Sequence, residues 1–203
     1  MKKPFLIVAV LVSFTTFAFA GGDQNQNRHD GVIGQGPTQQ ERIANPNKDA
    51  LQVRQLEEYQ KDIIYSIYEE EKVARDVYIT LGELFPEENT FANIQLSEQT
   101  HMDAVRNLCV KYGIDIPPVD QGVGEFSLEE MKYLYDSFVI EGVDSKLDAL
   151  KVGKKIEEMD IADLGIAIEN MPRDVQKVFT NLISGSINHL DAFINAIERE
   201  TPE

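Results

Sequence analysis

Four long stretches of this chain repeat apolar residues at spacings of three and four, and none shows the alternation of a half-buried strand. Such a pattern restricts the fold to packed amphipathic helices, because each helix must bury its apolar stripe against another. The stretches run over about 51–82, 90–112, 145–168 and 172–197. The sequence therefore predicts an all-α domain with four long helices.

The lengths of the connections predict how these helices are arranged. Short links join the first helix to the second and the third to the fourth, so each pair should lie antiparallel and adjacent. Residues 113–144 form a much longer connection, in which Ser127 and Glu130 match a capping box at the start of a short extra helix. We expect a four-helix bundle with one long crossover between helices two and three. Asp160 leaves an alternative open, in which it begins a separate helix and Gly165 weakens the continuity of the third.

The first twenty residues have the features of a signal peptide. Lys2 and Lys3 precede an apolar run, and 18–20 form a small-x-small cleavage sequence before Gly21. The run is too short for a comfortable membrane span. We expect an exported protein, periplasmic or extracellular, with no membrane association after cleavage.

The remaining chain divides by composition. Residues 21–50 are rich in Gly, Gln and Asn and nearly devoid of apolar side chains, which is typical of a flexible tether. Residues 51–200 are long enough for one domain with its own core. The single cysteine, Cys109, cannot form an internal disulfide.

The charge balance restricts the partners. With 19 basic and 35 acidic residues, the chain has a formal net charge of −16. This charge repels the phosphates of nucleic acid and anionic lipid surfaces and attracts cations. We therefore expect neither nucleic acid nor membrane as a partner.

Several ionisable residues interrupt the apolar stripes of the four helices. Glu98 and His101 lie one turn apart on one face of the second helix, Glu157 lies on the third, and His189 lies on the fourth beside Ser186. On the first helix Glu70 and Glu71 straddle the stripe equally, and Glu69 is expected to point outward.

Each of these observations also has an ordinary structural explanation. A buried histidine is commonly a core residue with satisfied nitrogens, and a run of glutamates is commonly a solvated face. Buried carboxylates without partners are costly, however, and Arg75 is the one basic residue expected near the inward stripes. Several carboxylates at one depth of the core thus favour a metal site over a purely apolar bundle.

The first helix resembles that of rubrerythrin, a ferritin-like diiron protein, in the spacing of Glu71, Ala74, Arg75 and Tyr78. The resemblance selects Glu71 over Glu70 as the inward carboxylate. It implies an all-α, ferritin-like four-helix bundle with one long crossover, which contains the short extra helix.

The other helices carry the resemblance further. Glu98 and His101 match the ExxH of helix two, Glu157 matches the helix-three glutamate, Asp160 falls where rubrerythrin has an additional carboxylate, and His189 keeps the spacing of the last histidine. The whole segment 56–197 also resembles a small family of uncharacterised bacterial ferritin-like domains, in the phrases EEEKVARDVY, SEQTHMDAV, ALKVGKKIEEMDIADL and LISGSINHLDAF. The implied metal ligands are Glu71, Glu98, His101, Glu157, His189 and Asp160.

The resemblance implies one or two ions of Fe (or Mn), with ferroxidase- or peroxidase-type activity toward oxygen or peroxide. An external electron donor would be required, since the chain has no CxxC motif. Ser186 departs from the pattern, because the fourth helix of diiron proteins carries a glutamate there.

Three functions stay open: a redox protein, a metal-buffering domain, and a structural or interaction bundle with a degenerate site. Ferritin-like bundles often pair, so a homodimer is also among the expectations.

Overall fold

The structure is a computed structural model that describes residues 55–116 and 122–201. This part of the chain forms five α-helices and no strand, which confirms the all-α prediction. The predicted signal peptide and tether lie outside the described residues. The helices are α1 (Glu58–Leu84), α2 (Asn89–Tyr112), α3 (Glu129–Gly142), α4 (Lys146–Ala167) and α5 (Arg173–Glu200).

Local capping explains where α2 and α4 begin and end. The carboxylate of Glu88 accepts from the backbone N–H of Thr90 and so caps the first turn of α2. Gly113 ends α2 in the left-handed region, with φ of 63°. Ser145 caps α4 by accepting from the N–H of Asp148. The helix α4 runs unbroken through Asp160, so the alternative of a separate helix there is wrong.

The predicted capping box at the start of α3 is also wrong. Leu128 is the N-cap residue of α3 and makes no side-chain cap bond. The backbone N–H groups of Ser127 and Leu128 instead donate to Oε2 of Glu69, at 2.9 and 3.3 Å. Glu69 was expected to point outward, but it is fully buried. Glu69 contacts the segment before α3, and the periodicity of α1 alone does not reveal this contact.

A second buried polar group on α1 holds the same segment. The ammonium of Lys72 pairs with the carboxylate of Asp76 and donates to the carbonyl of Gly122 at 3.0 Å. Asp76 also accepts from the N–H of Gly124 at 2.9 Å, and Lys72 lies 4.4 Å from the centre of the Phe126 ring. The expectation of no buried basic residue besides Arg75 is therefore wrong. Lys72 pairs with Asp76, which Arg75 also contacts, and it acts electrostatically on Glu69.

The helices pack mainly in pairs, α1 on α2 and α4 on α5, with α3 against α1 and α4. Contacts of α2 with α5 and of α1 with α4 complete the packing. No helix in the described ranges has both the length and the apolar character needed to cross a membrane.

Two apolar clusters fill the core, and four helices pass through both. The first cluster includes Val77 on α1, Ile94 on α2 and Phe193 on α5, whereas the second includes Ile64, Val105 and Phe179 from the same helices. The helix α4 likewise contributes Leu150 to the first cluster and Leu164 to the second. The chain thus meets the clusters in opposite order on α1 and α2, and again on α4 and α5. Members of each pair therefore run antiparallel.

Candidate metal centre

A layer of buried polar side chains separates the two apolar clusters. Each of the four helices contributes to it between the residues it gives to one cluster and those it gives to the other. Each residue of this layer is at most 8% exposed. The polar layer consists of Glu71 on α1, Glu98 and His101 on α2, Glu157 and Asp160 on α4, and Ser186 and His189 on α5.

Helical spacing places Glu98 and His101 on one face of α2, and α1 adds Glu71 opposite them. Nδ1 of His101 lies 3.0 Å from Oε2 of Glu98 and 3.1 Å from Oε2 of Glu71. Glu71 is 2% exposed, whereas Glu70 is only half-buried. Of the two neighbouring glutamates, it is thus Glu71 that contacts the histidine.

The fourth helix brings His189 to the other side of Glu98. Nδ1 of His189 lies 2.7 Å from Oε1 of Glu98 and 3.5 Å from Oε2 of Glu157. The rings of His101 and His189 stack with their centroids 5.4 Å apart. Glu98 therefore faces both imidazoles, using a different carboxylate oxygen for each. These three residues offer ligand atoms within 4.8 Å of one another, the spacing of a metal site.

The helix α4 adds Glu157 and Asp160, one turn apart. The hydroxyl of Tyr78 donates to Oε1 of Glu157 at 2.7 Å, which leaves Oε2 of Glu157 directed to the rest of the polar layer. Asp160 is 8% exposed and lies on α4 between Ile156 of the first apolar cluster and Leu164 of the second, so it belongs to the same layer. The structure therefore brings all six predicted ligand residues into one layer.

Four atoms of the polar layer make no hydrogen bond to any described residue: Oε1 of Glu98, Oε2 of Glu157, Oδ2 of Asp160 and Nδ1 of His189. Nδ1 of His189 and Oε1 of Glu98 nevertheless lie 2.7 Å apart, which is the distance of an ion pair. Most buried polar atoms in proteins do find partners. Carboxylate oxygens and imidazole nitrogens facing one another are the donor set that Fe(II), Mn(II) and Zn(II) accept, so the residues fit such an ion.

The electrostatics of the layer centre on Glu98. Burial alone would raise the pKa of Glu98, but the imidazoles of His101 and His189 outweigh it and lower the pKa to about 2. Burial would likewise lower the pKa of both imidazoles, but their carboxylate neighbours raise it to about 10 for His101 and about 9 for His189. In the metal-free protein both imidazoles are therefore cationic at neutral pH, with Glu98 ionised between them.

The pKa values of the remaining carboxylates are raised. Burial raises the pKa of Glu157 to about 7, and burial together with neighbouring carboxylates raises those of Glu71 and Asp160 well above their ordinary values. A metal ion needs neutral imidazoles and ionised carboxylates, so its binding would release protons from this layer.

Two small residues of α5 shape the layer. The hydroxyl of Ser186 is fully buried and donates to the carbonyl of Leu182 at 3.2 Å, so it is bonded to its own helix. A Cβ on Gly185 would lie 2.4 Å from Nε2 of His101. The absence of a side chain at Gly185 is therefore what admits the His101 ring.

Sequence reasoning missed the roles of Gly185 and Ser97. A glycine inside a helix costs about 1 kcal/mol relative to alanine, so Gly185 was itself a signal of a close approach. Ser97 lies beside Glu98 on α2, and its Oγ is 2.9 Å from Nε2 of His189. No pattern within α2 marks Ser97, because its partner is on another helix.

The chain belongs to the family described as "Uncharacterized protein domain (DUF2202)", whose model matches residues 60–203. It is 42% identical over 149 residues to "Uncharacterized protein MJ0754" of Methanocaldococcus jannaschii, across 73% of this chain and 80% of that protein. The crystal structure of hypothetical protein MJ0754 from Methanococcus jannaschii matches with a TM-score of 0.70 and 41% identity, covering 76% of this chain and 90% of that one. The expected membership of an uncharacterised domain family is confirmed, and the chain has a homologue in an archaeon.

Proposed function

We propose that this protein binds two transition-metal ions, Fe(II) or Mn(II), in the polar layer between its apolar clusters. The observation that carries the proposal is that Glu98, His101 and His189 offer ligand atoms within 4.8 Å of one another, in a layer where several buried carboxylate and imidazole atoms make no hydrogen bond to a described residue. The ligands would be Glu71, Glu98, His101, Glu157, His189 and Asp160.

The charge of the layer fits two divalent ions. Its four carboxylates carry four negative charges when ionised, and Lys72, the buried lysine among the described residues, is paired with Asp76. Buried charges of this kind are retained where they are paired or bind a metal. Two divalent cations with neutral imidazoles would bring the layer to neutrality.

The contacts also suggest how the ligands divide. Glu71 and His101 would hold one ion, Glu157 and His189 would hold the other, and Glu98, which faces both imidazoles, would bridge them. Asp160 would supply the carboxylate that α5 lacks, because Ser186 is bonded to its own helix. In this proposal, Asp160 on α4 takes the place of the glutamate that α5 lacks.

The same reasoning supports a ferritin-like assignment for the fold. The helices α1, α2, α4 and α5 would form the four-helix bundle, and the connection that contains α3 would be its crossover. In support, these four helices supply all six candidate ligands, and both pairs joined by short links run antiparallel. In di-metal carboxylate proteins of this class the ligands come from facing helices of the bundle core.

Two redox-active ions held in this way would supply the electrons for reducing oxygen or peroxide. The chain would bury the ions between apolar clusters, exclude bulk water and hold one oxygen of Glu157 with the hydroxyl of Tyr78. An external donor would return the electrons, in the exported location that the N-terminal sequence suggests. The second candidate is metal buffering without turnover. It is favoured because the hydroxyl of Ser186 bonds the carbonyl of Leu182, so α5 offers no second ligand at that position.

Anaerobic loading of the full chain with Fe(II) or Mn(II), followed by removal of free metal, tests the binding proposal. We expect about two equivalents in the wild type and a clear loss in His189→Ala, because His189 is the ligand from α5. A Ser184→Ala variant is the matched control, since the hydroxyl of Ser184 is exposed and bonds the carbonyl of Thr180. Fewer than about 0.2 equivalents in the wild type would contradict the proposal.

Stopped-flow mixing of the loaded protein with peroxide separates the redox and buffering functions. Consumption of peroxide with oxidation of the bound iron supports the redox protein. Bound metal that leaves peroxide unconsumed supports the buffering domain instead.

A further inference from the structure

The two imidazoles of the polar layer are held differently at their far nitrogens. Nε2 of His189 lies 2.9 Å from Oγ of Ser97, within hydrogen-bond distance. Nε2 of His101 instead lies against Gly185, where even a methyl group would collide with it. One histidine is thus anchored by a hydrogen bond and the other by close packing.

The bond to Ser97 orients His189 with respect to the carboxylates. Nδ1 faces Glu98 and Glu157, while Nε2 is directed out of the layer toward α2. A neutral imidazole carries one proton, and a nitrogen that binds a metal cannot carry it. A hydroxyl that accepts from the N–H of Nε2 therefore favours the tautomer with its lone pair on Nδ1.

Ser97 also links two helices at the level of the site. It precedes Glu98 on α2, so adjacent residues supply a carboxylate of the layer and the anchor for a histidine of α5. Both His189 and Ser97 keep some exposure, so this bond lies at the edge of the layer rather than at its centre. Ser97 belongs to neither apolar cluster, so removal of its hydroxyl should leave both intact.

We infer that Ser97 is a positioning residue that holds His189 as an Nδ1 ligand and makes the two metal positions unequal in affinity. The inference rests on the proposed metal binding. Partners at the far nitrogen of a metal-bound histidine set its orientation and basicity, and their loss typically costs about 10–100-fold in affinity. The ion beside His189 has such a hydroxyl partner, whereas His101 has the backbone of Gly185 at that nitrogen.

Titration of the full chain with Zn(II) against a competing chelator tests this inference. Ser97→Ala should weaken one ion by about 10–100-fold and leave the other near its wild-type affinity. Ser97→Thr keeps a hydroxyl and should restore binding, and Ser184→Ala should behave as the wild type. Equal affinities in wild type and Ser97→Ala would overturn the positioning role while leaving metal binding in place. A wild type that binds no Zn(II), Mn(II) or Fe(II) would instead overturn the proposed function, and this inference with it.

The nitrogen chemical shifts of the imidazoles in the Zn(II)-loaded wild type provide a readout that packing alone would not move. We expect His189 to be metal-bound at Nδ1 and protonated at Nε2, with the Nε2 proton protected from exchange. In Ser97→Ala this protection should be lost, and Ser97→Thr should recover it. Metal bound at Nε2 of His189 would overturn the inference.

Discussion

His101 and His189 stack with their ring centroids 5.4 Å apart, and each turns Nδ1 toward a different oxygen of Glu98. One carboxylate thus joins a histidine of α2 to a histidine of α5 across the core. The two halves of the polar layer are not independent, because Glu98 belongs to both.

Replacement of Glu98 by glutamine should therefore disturb both metal positions. The amide keeps the shape of the side chain but removes the negative charge that faces both imidazoles. We expect Glu98→Gln to bind less than half the metal of the wild type, measured after anaerobic loading, whereas Glu157→Gln should mainly weaken the ion beside His189. Full stoichiometry in Glu98→Gln would show that this carboxylate does not bridge the site.

Asp160→Asn distinguishes a metal ligand from a structural acid. Burial and the neighbouring carboxylates raise the pKa of Asp160 well above its ordinary value, which favours the neutral form that an amide resembles. The amide should therefore leave the melting temperature of the metal-free protein unchanged or slightly higher, while reducing the bound metal. A matched Ser186→Ala variant should keep its metal, because the Ser186 hydroxyl bonds the carbonyl of Leu182. Unchanged stoichiometry in Asp160→Asn would remove Asp160 from the ligand set.

Gly185→Ala should displace His101. A helix-interior glycine to alanine change ordinarily stabilises a protein by about 0.5–1 kcal/mol. At Gly185 the new Cβ would lie 2.4 Å from Nε2 of His101, so we expect lower stability and weaker metal binding. Gly165→Ala on α4 is the control, because a Cβ there has nothing within 4 Å and should give the ordinary stabilisation. Chemical denaturation of both variants measures the difference; equal gains in stability would contradict the close approach.

The stability of the metal-free protein should fall as the pH rises from about 5 to 9. Folding raises the pKa of Glu157 from 4.5 to about 7 and that of His189 from 6.5 to about 9, so the folded state binds more protons than the unfolded state in this interval. Stability falls with pH wherever the folded state holds the extra protons. Glu98 acts oppositely, but its window lies between about 2 and 4.5. Melting curves at several pH values check the sign, and metal-loaded protein should show the reverse trend because binding releases these protons.

How much of this site the sequence predicts depends on where each partner lies. Glu98 and His101 were predictable, because their shared face follows from spacing along α2 alone. The outward assignment of Glu69 was wrong, because its position on α1 is set by the segment before α3, and helical periodicity cannot place that segment. Lys72 was missed for the same reason, although its spacing to Asp76 is that of an ion pair within a helix.

The residues that shape the site were harder to predict than its ligands. Ser97 and Gly185 act across the contact between α2 and α5, and neither has a charge that marks it. Their roles depend on the distance between two helices, which the apolar pattern of either helix does not determine. A glycine within a helix signals that something approaches closely, but not which side chain it is.

Anomalous diffraction from crystals of the protein loaded anaerobically with Mn(II) or Fe(II) tests the central claim most directly. The strongly acidic chain can also attract cations to its surface. The position of the bound ions therefore tests the claim better than the amount of bound metal. We predict two anomalous peaks inside the polar layer, one beside His101 and the other beside His189, with Glu98 between them. Peaks confined to the surface, with none in that layer, would contradict the account.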